Sequence, residues 1–504
     1  MPEYYSGEIR ENHQKAIKEA TSSINTDVFI DGQFQPPVDG EYYETVDPAV
    51  AEPIAEVARG RAGDVDAAVQ AAQDAAEDWS ETVPPERQTV LRELADGVRE
   101  NLDEFALLES LDSGKPLDVA EGEIKRGIKY LEYYAGLTRS IEGKQLPYDA
   151  DSHIYTRREP YGVVGQIIPW NFPFVMVAYK VGPALATGNA TVLKPASETP
   201  LTALRFAQVA REVAPDGVIN VVPGFGSESG DALTSHSEVR KIAFTGSTEV
   251  GREIMRNAAD RAAPVTLELG GKSPFIVFPD ADIDTAVEAV AGVIYYNTGQ
   301  SCDAPTRVFV HEDVETEFMK AFRERTAEEV VGDPLQEDTT MGPLVSASQF
   351  DTVMNYNDIA ETEGVTIDVG GDIPDNTECE HGWFVNPTVF TDADNDMRVA
   401  QEEIFGPCET IITWSDYDEM IRQANDTEYG LAAGMATENL SLAHETAEKI
   451  EAGNIWVNKY ATLPPGVPFG GYKQSGLGRE HSREALLTYT QCKTVDIATD
   501  QSPM

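Results

Sequence analysis

The chain has 504 residues, enough for about two to four domains with sizeable cores. Its 87 acidic against 38 basic side chains give a net charge of −49, which repels phosphate backbones and anionic lipid heads and excludes nucleic-acid or membrane-surface binding as a first reading. With 41 % hydrophobic residues and long apolar periodic stretches, the acidity points to a folded protein from a salt-rich interior rather than to disorder. The 15 Lys against 23 Arg agree with salt adaptation, a merely acidic mesophile protein being the alternative.

The first 25 residues are polar and read as a loosely attached helical tail; a strand at Val28-Phe29-Ile30 and a turn-rich stretch to Glu56 follow. Val65, Ala68, Val69, Ala72, Ala75, Ala76 and Trp79 recur at helical spacing behind Asp64, a suitable N-cap. Two more helices are expected over Pro85–Leu111 and Val119–Tyr134, then an extended piece from Gln145 to Arg158. From Val163 the rhythm changes. Short apolar runs (Val163–Ile168, Ala190–Leu193, Val218–Val222, Ile242–Phe244) alternate with helical patterns, and a second such set starts at Phe275. Strands separated by helices predict parallel, doubly wound α/β domains. The start of the chain has no apolar leader, and no apolar run approaches the length of a membrane span, so the expectation is a cytoplasmic protein. The four cysteines, Cys302, Cys379, Cys408 and Cys492, are far apart and form no CxxC or His/Cys cluster, which argues against a disulfide framework or a metal site.

Five places carry residues suited to chemistry. Cys302 ends the run Asn297-Thr298-Gly299-Gln300-Ser301, where a turn after an apolar helix can show a thiol to a cavity; an incidental loop cysteine is the competing reading. Glu268, between two leucines and before Gly270-Gly271, is a candidate buried base, or a strand-end carboxylate reaching solvent. Gly246-Ser247 follows a strand and opens a helix that includes Gly251, the setting for a dinucleotide phosphate or for a plain tight turn. Pro169-Trp170-Asn171-Phe172-Pro173 holds an amide that can donate to an oxyanion, or makes a rigid turn. Lys194 ends the next strand as a cofactor contact or a surface cation.

In this order and spacing these motifs, with Glu402-Glu403-Ile404-Phe405-Gly406-Pro407 and Pro468-Phe469-Gly470-Gly471-Tyr472-Lys473, closely resemble the aldehyde dehydrogenase superfamily from about Val28 to Asp496. The resemblance implies a Cys302 nucleophile that forms a thiohemiacetal and then a thioester, Glu268 as the base for hydrolysis, and Asn171 with the Cys302 N–H as oxyanion hole. Lys180 and Glu480 match a proton-relay pair. On the cofactor side it implies contacts from Ile167, Trp170, Lys194, Ser197, Gly226, Gly246, Ser247, Gly251, Gln349, Glu403 and Phe405. Strongly NAD-selective members carry a glutamate where this chain has Ser197, so NADP is expected to be accepted alongside NAD, unless Glu198 swings back. The glutamate at 268 favours water over a thiol as acyl acceptor.

The implied fold is two doubly wound α/β domains plus a small β oligomerisation extension. The expected divisions are a tail (1–25), a dinucleotide-binding domain (26–144 and 159–269), a catalytic domain (270–473) and the extension (145–158 and 484–504), with a homodimer or homotetramer as the assembly. The stretch from Leu487 to Ile497 reads as the extension's second strand, pairing with a neighbouring subunit. A small-molecule aldehyde is the expected partner. The substrate reading is a semialdehyde such as 2,5-dioxopentanoate, with betaine aldehyde or broad aliphatic aldehydes as alternatives. A cysteine esterase using Cys302 and Glu268, or a non-catalytic binding protein, are the alternatives from other classes.

Overall fold

The structure, a computed structural model, describes residues 8–376 and 379–499. Two sheets organise it. In the first, of eight strands, a parallel centre runs in the order Val265–Glu268, Lys241–Thr245, Val163–Ile167, Ala190–Lys194, Ile219–Val221. The fully buried apolar runs foreseen as strands form this centre, each covered on both faces as a parallel sheet requires. Antiparallel strands close its edges: Val28–Ile30 and Gln33–Gln35 on one side, Gly476–Leu477 on the other. The chain leaves Val163–Ile167 towards one edge and later returns to lay Lys241–Thr245 on the opposite side. That reversal opens a crevice at the carboxyl ends of these two strands, where ligands bind in open α/β sheets.

The second sheet has seven strands, with Pro274–Val277, Arg307–His311, Cys408–Trp414 and Ala432–Ala436 parallel at its centre. A three-stranded sheet stands apart. Ser152–Pro160 pairs along its length with Thr490–Ala498 of the same chain, and on its other side with Gln145–Leu146. The strand expected to seek a neighbouring subunit is therefore paired within the chain, and one edge of Thr490–Ala498 is left without a strand among the described residues. It also starts later than expected, because Leu487 still belongs to the short helix Arg483–Thr488. Residues 500–504 of the expected extension lie outside the described residues, as do residues 1–7 of the expected tail.

Two other expectations need correction. The helix foreseen over Pro85–Leu111 is two helices, Pro84–Glu100 and Leu102–Ser113. Asn101 leaves the helical region between them, and its amide donates to the Gly97 carbonyl at 2.7 Å, the local bonding that makes asparagine a helix terminator. The helix Ile9–Thr21 is not loosely attached either: Ile9, Asn12, His13, Ala16 and Ala20 are buried. His13 bridges Asp47 (2.5 Å) and Asp333 (2.8 Å), two carboxylates from distant parts of the chain.

Candidate active site

The helix Ile283–Ile294 ends at Tyr295, and a short turn then carries the chain to Cys302. Asn297, Thr298 and Gly299 all take left-handed conformations (φ 50°, 56° and 71°). At Gly299 only hydrogen fits, since a Cβ would lie 2.1 Å from the Gly406 carbonyl oxygen. Strain at two non-glycine residues persists only where surrounding bonds over-determine the turn. Here Asn297 donates to the Asn171 carbonyl (2.9 Å), Thr298 to the Gly342 carbonyl (2.9 Å), and Gln300 accepts from the Val345 N–H (3.0 Å).

Cys302 lies half-buried where two cavities meet. One, of about 250 Å³, is lined by Pro169, Trp170, Asn171, Gly246, Ser247 and Glu268, together with Gln349, Glu403 and Phe405. The other, of about 300 Å³, has aromatic walls from Phe172, Tyr179, Tyr296, Tyr460 and Phe469. Only Cys302 and Met176 line both. Burial, with the carboxyl groups of Asp303, Glu403 and Glu268 in reach, pushes the thiol above its ordinary range, so the resting protein holds a thiol there.

Glu268 closes its strand and is buried, not solvated. Burial and the neighbouring Glu480 push its pKa well up, opposed by Lys180 and Arg479. Among the described residues neither of its oxygens has a hydrogen-bond partner. Gly470, at φ 153°, makes room for it: a Cβ there would sit 2.8 Å from Oε1. Lys180, fully buried, donates to the Glu480 carboxylate. Asn171 donates one amide N–H to the Gln300 carbonyl (2.9 Å), which fixes the amide and leaves its second N–H free. The matching Oδ1 is an unpartnered buried acceptor. A poised thiol, a buried carboxyl with both oxygens unpartnered and an oriented amide form a set for covalent catalysis at a carbonyl.

The comparisons agree with this geometry. The model of the aldehyde dehydrogenase family matches residues 34–495.

The chain belongs to the aldehyde dehydrogenase family.

An aldehyde dehydrogenase of Alternaria alternata is 46 % identical over 476 residues, 94 % of this chain and 95 % of that one. The solved NAD+ complex of an aldehyde dehydrogenase from Bacillus cereus superposes with a TM-score of 0.93 at 44 % identity, covering 96 % of this chain and 98 % of the other. A betaine aldehyde dehydrogenase from Staphylococcus aureus, also in complex with NAD+, gives a TM-score of 0.95 at 36 % identity, with 97 % and 98 % covered.

The remaining expected positions of this aldehyde dehydrogenase divide. Trp170 meets Phe405 edge-on (centroids 5.2 Å apart) at the cavity mouth. Gln349 reaches the cavity, but its amide donates to the Ile404 and Phe405 carbonyls (3.0 and 2.9 Å), so it holds Phe405 in place. Glu403 accepts from the Gly271 N–H (2.9 Å), and burial raises its pKa to about 7. Lys194 is buried beyond the cavity, where its ammonium donates to the Pro195 carbonyl (2.8 Å) and burial lowers its pKa to about 8. Ser197 donates to Glu198 (3.0 Å). Ile167, Gly226 and Gly251 do not line the cavity; Gly251 faces the Leu269 side chain. Thr245 and Gly270 are cavity-lining residues beyond the expected set, one turn or one residue from motifs already visible. Arg126 and His481 line the aromatic cavity without any such signal: one sits in the charged run Glu121–Arg126, the other is an isolated histidine. Arg307 and Arg158 do not reach it. The first is fixed by Lys272, Asn395, Gln423 and Ala424, the second by carbonyls at Leu487 and Thr490.

Proposed function

We propose that this aldehyde dehydrogenase oxidises an aldehyde to the free acid with NAD(P)+ and water, the substrate being a semialdehyde such as 2,5-dioxopentanoate. The observation that carries this reading is Cys302 on the one wall shared by an aromatic cavity and a polar one that holds Glu268. The polar cavity and Lys194 beyond it offer groups suited to a dinucleotide. Thr245 Oγ1 is a buried orphan there among the described residues, Ser247 caps the helix Thr248–Ala259 beside it, and Lys194 is a buried cation that donates to its neighbour's carbonyl.

Cys302 gives up its thiol proton, which Glu268 accepts and hands to the Lys180–Glu480 pair, and the thiolate adds to the aldehyde carbon, making a C–S bond and an oxyanion that meets the free Asn171 N–H and the Cys302 backbone N–H. Bound NAD(P)+ supplies the acceptor for the hydride that leaves this carbon. The carbonyl re-forms as a Cys302 thioester. Glu268 takes a proton from water as its oxygen bonds to the acyl carbon; the C–S bond breaks, the thiolate returns and the acid leaves. Lys180 and Glu480, beside Glu268, pass that proton on. An esterase would need only Cys302 and Glu268, and neither Lys194 nor Glu403.

On the cofactor, Ser197 replaces a carboxylate that would repel a 2′-phosphate, although its hydroxyl holds the Glu198 carboxylate at 3.0 Å; NADP+ is accepted together with NAD+ when Glu198 turns away. We further propose a salt-adapted, cytoplasmic enzyme that assembles as a homodimer or homotetramer through the open edge of Thr490–Ala498. The acidity of the chain supports the first reading; no helix among the described residues is long and apolar enough to cross a membrane. Reduced-nicotinamide absorbance with an aliphatic aldehyde in molar KCl, comparing NAD+ with NADP+, tests the reaction and the cofactor together. Turnover with both is expected, and Ser197→Glu should shift the ratio towards NAD+. No turnover by folded protein with either cofactor, for the aliphatic aldehyde and the semialdehyde alike, contradicts the reaction; an unmoved ratio in Ser197→Glu contradicts the reading of Ser197.

A further inference from the structure

Beside Ser301, Cys302 and Asp303, the aromatic cavity is lined by two basic residues, Arg126 and His481. Arg126 projects from the helix Leu117–Leu137. Among the described residues no hydrogen bond or ion pair holds its guanidinium, and its buried Nε has no partner. It lies over the Phe172 ring, with Cζ 5.3 Å from the centroid. One turn earlier, the Glu123 carboxylate is already taken, by the Tyr296 hydroxyl (2.6 Å) and the Lys115 ammonium (2.5 Å). His481 stacks on Phe469 (centroids 5.0 Å, planes 8° apart) and touches Tyr179 (3.9 Å). Burial, with Arg126 and Lys180 nearby, keeps its imidazole neutral, and its Nδ1 is also without a partner.

A half-buried guanidinium against aromatic walls, whose nearby Glu123 carboxylate is shared with Lys115 and Tyr296, keeps N–H donors open to a guest in the cavity. Asp303, the one acid lining the cavity, accepts from Ser301 (2.6 Å) beside Cys302. Burial raises its pKa and Arg126 opposes that rise, so the two groups sense each other across the cavity. We propose that Arg126, with His481 as a neutral hydrogen-bonding partner, anchors the far-end carboxylate of an ω-oxo acid and so sets the enzyme's preference for acid-bearing aldehydes. The guanidinium suits a carboxylate through two parallel N–H bonds, and it repels the trimethylammonium of betaine aldehyde. This deepens the reaction reading above and rests on it.

The test is kcat/KM for 5-oxopentanoate, pentanal and betaine aldehyde, in the wild type and in Arg126→Met and Arg126→Lys. A charge-assisted bond predicts that the wild type favours 5-oxopentanoate over pentanal by roughly tenfold or more. Arg126→Met should erase that ratio mainly through KM, and Arg126→Lys should restore part of it. A wild-type ratio near one, a preference for betaine aldehyde, or a ratio unchanged in Arg126→Met overturns the proposal while leaving the dehydrogenase reading intact. Absence of reduced cofactor with all three aldehydes overturns both. The wild-type ratio decides even if Arg126→Met fails to fold.

Discussion

Cys302 sits among acids, and that has a consequence opposite to the usual activated cysteine. Burial and the carboxyl groups of Asp303, Glu403 and Glu268 raise its pKa, so before cofactor binds the thiolate fraction is small at neutral pH. Alkylation of Cys302 by iodoacetamide in the cofactor-free protein, read by peptide mass, should keep climbing past pH 8.5 without a plateau. A plateau by pH 7 would mean that some group lowers the pKa instead. Cys302, Glu268 and Asn171 were singled out in the sequence by short Gly- or Pro-bearing turns and given roles by the family resemblance, and the fold brings all three to one cavity. Arg126 and His481 were not singled out: their meaning depends on Phe172, Tyr179 and Phe469, brought to them by packing between remote segments. The burial of Glu268 likewise follows from the chain around Gly470 passing over it, two hundred residues on in the same fold.

At the scale of elements, the helix Ile9–Thr21 shows why a polar pattern can mislead. Its buried face carries Asn12 and His13, which hydropathy assigns to solvent, and its hold on the molecule is a buried charge network. Burial disfavours the charged imidazole, but Asp47 and Asp333 outweigh it and raise the His13 pKa to about 9 from 6.5. Because the folded value lies above the unfolded one, the stabilisation is complete below about pH 6.5 and is lost as pH rises through about 9. His13→Ala strands two carboxylates and should cost about 3–5 kcal/mol. Urea unfolding midpoints between pH 6 and 10 check both statements: the wild type should lose stability across this window with a slope that the variant lacks. An equal slope in the two proteins would place the alkaline sensitivity elsewhere. The strands at the sheet centres, by contrast, were readable directly, since a parallel strand covered on both faces is a short, mostly apolar run.

For the whole molecule, alternation of strands and helices was enough to foresee two α/β units. The reversal of strand order was not, because nothing local in Val163–Ile167 or Lys241–Thr245 says that they lie side by side. That reversal brings Asn171 and Ser247 to one crevice, next to Cys302. The net charge of −49 is a property of the whole surface. At 1 M salt the screening length falls to about 3 Å, so mutual repulsion of surface carboxylates largely vanishes. The midpoint of thermal unfolding should rise steeply between 0.1 and 2 M KCl; a flat response would favour an acidic protein with no salt adaptation.

The central claim is that oxidation proceeds through a thioester on Cys302 that Glu268 clears with water. Mixing Glu268→Gln with pentanal and NAD(P)+ tests it most directly, with reduced nicotinamide followed by absorbance and the protein by intact mass and peptide mapping. The account predicts a burst of about one equivalent of reduced cofactor per site, very slow turnover afterwards, and a pentanoyl group on Cys302. Steady turnover at the wild-type rate with Cys302 unmodified would contradict it.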